Sequence, residues 1–130
     1  MSAQTTRRSK LAANVTVRQH GLLSDVLAEL GGEDQGPNPH ELLEAALAAC
    51  TTITVQMYAN RKEMKLESAD VSVKIESEGS QGAVISRKIK FKGDLSDDEK
   101  MRLLEIANRC PIHKLLALQI SISTEMMPAL

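Results

Sequence analysis

The sequence predicts an α+β protein with antiparallel strands and separate helices, and three observations support this fold class. The chain has 130 residues, of which 42% are apolar, enough for one domain with its own core. Residues 69–76 alternate apolar and polar side chains, and residues 83–92 do so less regularly after a Gly-containing turn, which is typical of an antiparallel pair. Helical and strand patterns are segregated along the chain, which argues against a doubly wound sheet.

The composition excludes several classes of function. A net charge of -1 gives no electrostatic reason to bind nucleic acid, and aromatic residues make up only 2% of the chain, too few to stack bases. Two cysteines are too few for a disulfide scaffold. No apolar run follows the basic N-terminal residues, and the longest uncharged stretch, residues 45–60, is shorter than the ~20 residues that span a bilayer. We therefore expect a cytoplasmic protein with neither nucleic acid nor a membrane as partner.

The first third of the chain is predicted to contain a strand and a loop. Residues 1–12 are expected to be a flexible tail of a single domain that spans residues 1–130. The segment 11–18 ends in β-branched alternation, which suits a strand, whereas residues 22–30 fit either an extended segment or a helix. Three glycines and two prolines predict a loop over residues 31–39.

A long helix is predicted to begin after this loop and to run from Pro39 to about Lys62. Asn38 is a good N-cap, proline suits the first helical position, and Glu41 completes a capping box. After Glu44 the side chains are apolar or small nearly all round the helix. This pattern predicts a helix buried by a sheet or by another subunit.

Two shorter helices and a last strand complete the prediction. Ser96 and Glu99 form a capping box that opens the second helix. Pro111 disfavours helix at Cys110 and can start a further short helix, which places Cys110 at the N-cap. Residues 118–124 alternate again and predict a final strand.

The two cysteines are the candidates for chemistry. Cys50 lies within the long helix, where it suits an Ala-rich interface as a small apolar side chain, and a thiolate there would need a cation from elsewhere. Cys110 stands at a predicted helix N-terminus beside Arg109, and both features lower a thiol pKa. Local sequence thus favours Cys110 as the thiolate, with a packed Cys-Pro turn as the alternative. Cys110 and His113 form only a weak metal half-site, because structural zinc needs four ligands.

Two separate motifs resemble the OsmC/Ohr family of thiol-dependent hydroperoxide reductases. They are Gly36–Thr51, with its Gly-Pro-x-Pro loop, and Arg109–Lys114, with its Arg-Cys-Pro-x-His sequence. The resemblance implies an intertwined homodimer in which antiparallel sheets from both chains wrap around the buried central helices, with each active site at the subunit interface. It also implies that Cys50 is the peroxidatic cysteine and Cys110 the resolving one. The implied partners are a hydroperoxide substrate and an external dithiol reductant, with no cofactor and no metal.

The sequence departs from the family pattern directly after the loop. Family members place a glutamate there, which holds an arginine over the thiolate, but this chain has His40 at that position and its acid one residue later, at Glu41. A shift of one residue rotates a helical side chain by about 100°, so Glu41 need not reach the same place, and capping is its alternative role. No arginine occurs in residues 19–49, which makes Arg18 the first candidate for the activating cation and Arg109 the second.

The sequence therefore predicts a cysteine-based peroxidase that reduces organic hydroperoxides or hydrogen peroxide. The alternative is a dimer of the same family that binds a small apolar or electrophilic ligand and has weak or no peroxidase activity, which the missing family glutamate and arginine motivate. A third interpretation treats both cysteines as core residues of an oligomerisation domain.

Overall fold

The structure is a computed structural model that describes residues 2–128, and it confirms the predicted α+β class. The strands and α-helices of the described residues are β1 (Ala3–Ser9), β2 (Ala12–Val17), β3 (His20–Ser24), α1 (Pro39–Arg61), β4 (Lys65–Gly79), β5 (Gly82–Asp94), α2 (Asp97–Ala107) and α3 (Pro111–Leu116). The strands form a three-stranded sheet in the order β1-β2-β3 and a two-stranded sheet, β4-β5.

The described residues divide into two compact units. The first contains the chain up to Ala46 together with Val73–Ser86, and the second contains Leu47–Ser72 together with the chain from Arg87 onward. Both cysteines therefore belong to the second unit.

The first unit begins with a strand where a flexible tail was expected. Residues 3–9 form β1, which pairs antiparallel with β2, and β2 pairs antiparallel with β3. The prediction of a tail is wrong for these residues because a tight turn at Lys10, with a φ of 50°, folds the polar segment back onto β2. Every residue of β1 is exposed, so backbone hydrogen bonds rather than apolar burial hold it in place. Residues 22–30 are extended up to Ser24 and then form a 3-10 turn over Ala28–Leu30.

The Asp25 side chain stabilises the Gly-rich loop of residues 31–39 by hydrogen bonds. Asp25 is only 3% exposed. Its carboxylate accepts hydrogen bonds from the backbone N–H groups of Val26 (2.7 Å), Glu33 (3.1 Å) and Gln35 (3.2 Å). The hydrogen bond from Val26 is the main cause that lowers the pKa of Asp25, against the opposing effect of burial. A single carboxylate thus satisfies three loop donors.

The end of the loop packs directly on the backbone of β3. The Ser24 hydroxyl donates a hydrogen bond to the carbonyl oxygen of Pro37 at 2.9 Å. A Cβ atom at Gly36 would lie 2.0 Å from the carbonyl oxygen of Leu23, a distance that no side chain can occupy. Position 36 therefore requires glycine. The contacts of Gly36 and Pro37 with β3 fix the position of the loop end from which α1 begins.

The helix α1 spans Pro39–Arg61, as predicted. The Asn38 side chain accepts a hydrogen bond from the Glu41 N–H at 2.8 Å, and the Glu41 carboxylate accepts one from the Asn38 N–H at 2.9 Å, so the capping box is confirmed. Ile53 and Met57 are 58% and 66% exposed. Burial of the helix on every side stays a prediction. The buried residues of α1 lie four apart along one stripe: Leu47, Thr51, Val55 and Ala59.

By length and composition α1 would also qualify as a membrane-spanning helix, with a mean hydropathy of 1.3. Core helices of soluble proteins pass the same test. Here Thr52 donates a hydrogen bond to the carbonyl oxygen of Ala69 at 3.2 Å, and Gln56 donates one to that of Leu66 at 3.3 Å. These bonds join the helix to β4, as expected for a helix packed on a sheet.

The second unit has an aliphatic core and two predicted helix starts. Ser96 and Glu99 form the capping box of α2, with hydrogen bonds of 2.9 and 3.1 Å. The helix α3 begins at Pro111 with Cys110 as its N-cap, as the Cys-Pro sequence predicts. The buried core residues are Val55, Ala59, Leu66, Ala69, Leu103, Ile106 and Ala107.

The predicted last strand, residues 118–124, is not formed within the part of the chain that the structure describes. The backbone there joins neither sheet, although its apolar side chains alternate as in a strand. Leu118, Ile120 and Ile122 are 65%, 54% and 84% exposed. The prediction is wrong for this chain because alternation specifies a face to be buried but does not supply a neighbouring strand.

Candidate functional site

The helix α1 positions Cys50 near its middle, on a partly buried side. One turn further on, the Thr54 hydroxyl lies 3.8 Å from the Cys50 sulfur, within hydrogen-bonding distance for sulfur. The next residue after Cys50, Thr51, is fully buried, and its hydroxyl donates to the carbonyl oxygen of Leu47 at 2.7 Å. The thiol therefore has polar neighbours on an otherwise apolar helix.

Cys110 reaches the same region from the junction of α2 and α3. It is fully buried and forms the N-cap of α3, where Pro111 prevents helix from continuing through it. Its backbone N–H donates to the carbonyl oxygen of Ala107 at 3.3 Å, which anchors the junction to the end of α2. Hydrogen bonding to its side chain is one of the causes that lower the pKa of Cys50.

The environment of Cys50 favours its thiolate. Burial raises the pKa of the thiol, but hydrogen bonds from the Cys110 side chain, the Ile112 backbone and Thr54, together with the charge of Arg87, outweigh burial and lower the pKa below its usual range. The local sequence predicted that the N-terminus of α3 lowers the pKa of the Cys110 thiol. The backbone of Ile112, in the first turn of α3, is instead one of the causes that lower the pKa of Cys50.

Arg87 is the cation of this site, and sequence reasoning missed it. Its guanidinium donates hydrogen bonds to the Thr51 hydroxyl at 3.0 Å and to the Asn108 side-chain oxygen at 2.8 Å, and it lies 3.1 Å from His113 Nδ1. A signal was present in the sequence, since Arg87 occupies the apolar register of β5, between Ile85 and Ile89. An arginine on the apolar side of a strand has to find acceptors within the fold.

His113 completes the neighbourhood as a neutral acceptor. Burial lowers its pKa, and the adjacent charge of Arg87 lowers it further. The imidazole is therefore neutral at pH 7, and its Nδ1 accepts the hydrogen bond from Arg87, so that the proton lies on Nε2. Burial lowers the pKa of Arg87, against the opposing charges of Cys110 and Cys50, and a guanidinium stays charged at neutral pH. All three acceptors of Arg87 are uncharged, so none of them neutralises it.

Glu41 and His40 lie in the first unit, at the start of α1. Glu41 is exposed, and its carboxylate is engaged in the capping box described above. His40, which stands where the family glutamate was expected, lies 2.6 Å from the Glu78 carboxylate. The catalytic role predicted for Glu41 stays a prediction, whereas its capping contact is observed.

The two arginines predicted from the sequence lie elsewhere. Arg18 has a φ of 54° and occupies the turn between β2 and β3, in the first unit. Arg109 is exposed and follows α2, directly before Cys110. The arginine whose charge lowers the pKa of Cys50 is Arg87. The roles of Arg18 and Arg109 as activating cation stay predictions.

A cavity of about 300 Å³ lies in the second unit, and Thr54, one helical turn after Cys50, is among its lining residues. We call it the arginine pocket, and its lining residues are Thr54, Met57, Tyr58, Arg61, Ile106, Arg109 and Pro111. Among residues 2–128, no group of three or more His, Cys, Asp and Glu side chains is arranged to hold a metal ion.

The fold and the site define a class of α+β proteins that carry two neighbouring thiols beside an arginine. The chain belongs to the OsmC-like protein family, because the model of that family matches residues 32–125. This match confirms the resemblance drawn from the two motifs. No curated protein matches the sequence.

Solved structures share the fold at low sequence identity. An OsmC-like protein from Mycoplasma pneumoniae is 19% identical with a TM-score of 0.76, over 88% of this chain and 85% of that one. The organic hydroperoxide resistance protein OsmC from Legionella pneumophila is 22% identical with a TM-score of 0.66, over 89% and 88%. The organic hydroperoxide resistance protein OhrB of Bacillus subtilis is 21% identical with a TM-score of 0.64, over 90% and 91%. At these identities the likeness establishes the fold.

Proposed function

We propose that the protein is a thiol-dependent peroxidase, which reduces organic hydroperoxides or hydrogen peroxide with the Cys50 thiolate as nucleophile. The observation that carries the proposal is the lowered pKa of Cys50, which arises from the Cys110 side chain, the first turn of α3 and the charge of Arg87. Because the thiolate is the reactive form, a lower pKa increases the reactive fraction at neutral pH.

The proposed reaction has three balanced steps. The Cys50 thiolate attacks the distal oxygen of the hydroperoxide, so that a sulfur–oxygen bond forms, the oxygen–oxygen bond breaks, and the leaving oxygen takes up a proton to give an alcohol or water. The sulfur is now a sulfenic acid, which the Cys110 thiol attacks to form a disulfide and release water. An external dithiol then reduces this disulfide by exchange, becomes a disulfide itself, and restores both thiols.

Arg87 supplies electrostatic stabilisation in this scheme. Its acceptors Thr51, Asn108 and His113 are neutral, so its charge can act on the thiolate and on the oxygen that becomes negative as the peroxide bond breaks. In the family pattern a glutamate and an arginine act together. In this chain neutral groups hold Arg87 in place, and no carboxylate is required.

Relatives support a redox role in general terms. The proteins from Legionella pneumophila and Bacillus subtilis are named organic hydroperoxide resistance proteins, and this chain shares their fold. The family match covers both thiols. These likenesses favour peroxide chemistry over the interpretation of the cysteines as packing residues only.

The proposal includes an intertwined homodimer in the cytoplasm. The exposed Ile53 side chain lies on a side of α1 that a second copy would cover. Leu118, Ile120 and Ile122 alternate in a segment that a strand of a second copy would pair. Size-exclusion chromatography with light scattering tests this part, and a monomer at micromolar concentration would contradict it.

The test of the activity compares the wild type with Cys50→Ser and Cys110→Ser. Each protein is mixed with cumene hydroperoxide or hydrogen peroxide, and peroxide consumption is followed with and without excess dithiothreitol. We expect continuous turnover by the wild type with the dithiol, no turnover by Cys50→Ser, and a sulfenic acid that dimedone traps in Cys110→Ser.

The oxidation products decide the mechanism. Without reductant, one equivalent of peroxide should convert the wild type to a Cys50–Cys110 disulfide, visible by mass spectrometry of the unreduced peptides. If both thiols stay free after this treatment, the peroxidase proposal is wrong.

The second candidate is a protein that binds a small ligand at the same site without turnover. An organic hydroperoxide resistance protein from Vibrio cholerae has been crystallised with captopril bound in one of its active sites, which favours ligand binding in this fold. The Cys50→Ser variant separates the two functions. Unchanged ligand affinity with no peroxide consumption by the wild type would favour this candidate.

A further inference from the structure

We propose that Arg61 and Arg109 form an anion-binding subsite in the arginine pocket, which makes the protein selective for organic hydroperoxides that carry a carboxylate. This inference rests on the proposed function, because it names the class of substrate that the thiols would reduce. It assigns binding to two residues outside the network of Cys50, Cys110 and Arg87.

The pocket has the shape and lining of a site for an amphipathic molecule. Its volume of about 300 Å³ lies at the lower end of the range for small-molecule sites. Met57, Ile106 and Pro111 give it apolar walls, while Arg61 and Arg109 are exposed side chains that bring positive charge to the same cavity. An apolar body with one anionic end matches this combination.

The pocket is lined by residues that neighbour each thiol, although neither thiol lines it. Thr54 lines it, and the Thr54 hydroxyl lies 3.8 Å from the Cys50 sulfur. Arg109 and Pro111, which also line it, are the chain neighbours of Cys110. At 1.5 Å of rise per residue, Cys50 and Arg61 are separated by about 16 Å along α1. Because helical side chains lean toward the N-terminus, the Arg61 side chain together with a small substituted aromatic ligand can span this distance.

The two arginines of the pocket differ from their neighbour Arg102. The Arg102 guanidinium is paired with Glu105 at 2.9 Å and donates to the Tyr58 hydroxyl at 2.9 Å. Within the described chain, neither Arg61 nor Arg109 has a carboxylate within 4.0 Å, so their charges are available to a ligand. The Tyr58 ring orders one of them, because the Arg61 guanidinium lies 5.4 Å from its centroid.

The chemistry of the guanidinium selects the kind of anion. A guanidinium presents paired donors that match the two oxygens of a carboxylate. The carboxylate lies away from the reacting peroxide, so this contact is equally strong in the ground state and in the transition state. Such uniform binding lowers KM and leaves kcat largely unaffected. The proposal therefore predicts selectivity through KM.

The test uses cumene hydroperoxide with a para-carboxylate and its methyl ester, which differ in charge at one end. For the wild type we expect a KM for the carboxylate at least tenfold lower than for the ester. In Arg61→Gln and Arg109→Gln this ratio should shrink about tenfold. The control is Lys62→Gln, which removes an exposed charge beside Arg61 that does not line the pocket, and its ratio should stay that of the wild type. Equal KM values for the two substrates in the wild type, or an equal loss in Lys62→Gln, would overturn the proposal.

A binding measurement separates this inference from the proposed function. para-Isopropylbenzoate has the same carboxylate but no peroxide, and its affinity is measured by titration calorimetry. Binding that weakens about tenfold in Arg61→Gln and not in Lys62→Gln supports the subsite even if no peroxide is consumed. Absence of binding to the wild type at millimolar concentration overturns the subsite even if cumene hydroperoxide is reduced.

Discussion

Replacement of Arg87 by glutamine removes the charge that acts on Cys50 and keeps an amide side chain that can still donate hydrogen bonds. Arg87 makes three contacts to neutral groups, so none of these partners can replace the lost positive charge. Removal of one preorganised donor of this kind costs a factor of about 10²–10³ in kcat where the donor faces the full developing charge. Because Arg87 is only partly buried, we expect the lower end, about a hundredfold slower peroxide reduction.

The assay for Arg87→Gln follows alkylation of Cys50 by iodoacetamide as a function of pH, with the modified peptide identified by mass spectrometry. The midpoint should move to higher pH, since loss of the guanidinium raises the pKa of Cys50. Arg87→Lys, which keeps the charge but not the paired donors, should fall between the wild type and Arg87→Gln. Arg109→Gln and Arg18→Gln are the matched controls. An unchanged midpoint in Arg87→Gln together with a raised one in either control would refute the reasoning.

Three further predictions concern the loop and helix start that lead to the site. Gly36→Ala should lower the free energy of unfolding by about 1–3 kcal/mol in urea denaturation, because its Cβ would meet the Leu23 carbonyl oxygen, whereas Gly79→Ala, with open space around it, should cost much less. Asn38→Ala should cost about 1 kcal/mol in the same assay through loss of the α1 cap, and full stability would contradict the capping role. The lowered pKa of Asp25 predicts a contribution to stability that is present above its ordinary pKa of 3.8 and is lost as the pH falls through the lower folded pKa. Thermal melts from pH 5 to pH 2 should show that loss in the wild type, and a loss of the same size in Asp25→Asn would rule out Asp25 as its source.

Local signals predicted the helices well. Both capping boxes, at Asn38–Glu41 and Ser96–Glu99, are set by side chains three residues apart, and such short-range bonds do not depend on the rest of the fold. The start of α3 is equally local, because proline constrains the residue before it. These features were therefore accessible from the sequence alone.

Long-range contacts account for what the sequence did not predict. Residues 3–9 lack an apolar pattern, so their pairing with β2 depends on backbone hydrogen bonds that composition does not report. Arg87 lies 37 residues from Cys50 in the chain, and only the folding of β5 beside α1 brings them together. The family resemblance led to the prediction of Arg18 or Arg109 as the activating cation. The position of Arg87 between Ile85 and Ile89, in the apolar register of β5, was a signal for the correct residue.

The two cysteines are unequally buried, so reagents in solution should reach them to different extents. Solvent reaches the partly buried Cys50, whereas Cys110 is sealed within the fold. A bulky maleimide should therefore label one thiol per native chain and two once the chain opens. The number of maleimide labels per chain would then measure local unfolding around Cys110. The buried Cys110 thiol should itself escape direct oxidation by peroxide, so it stays available to attack the Cys50 sulfenic acid before that group is oxidised further.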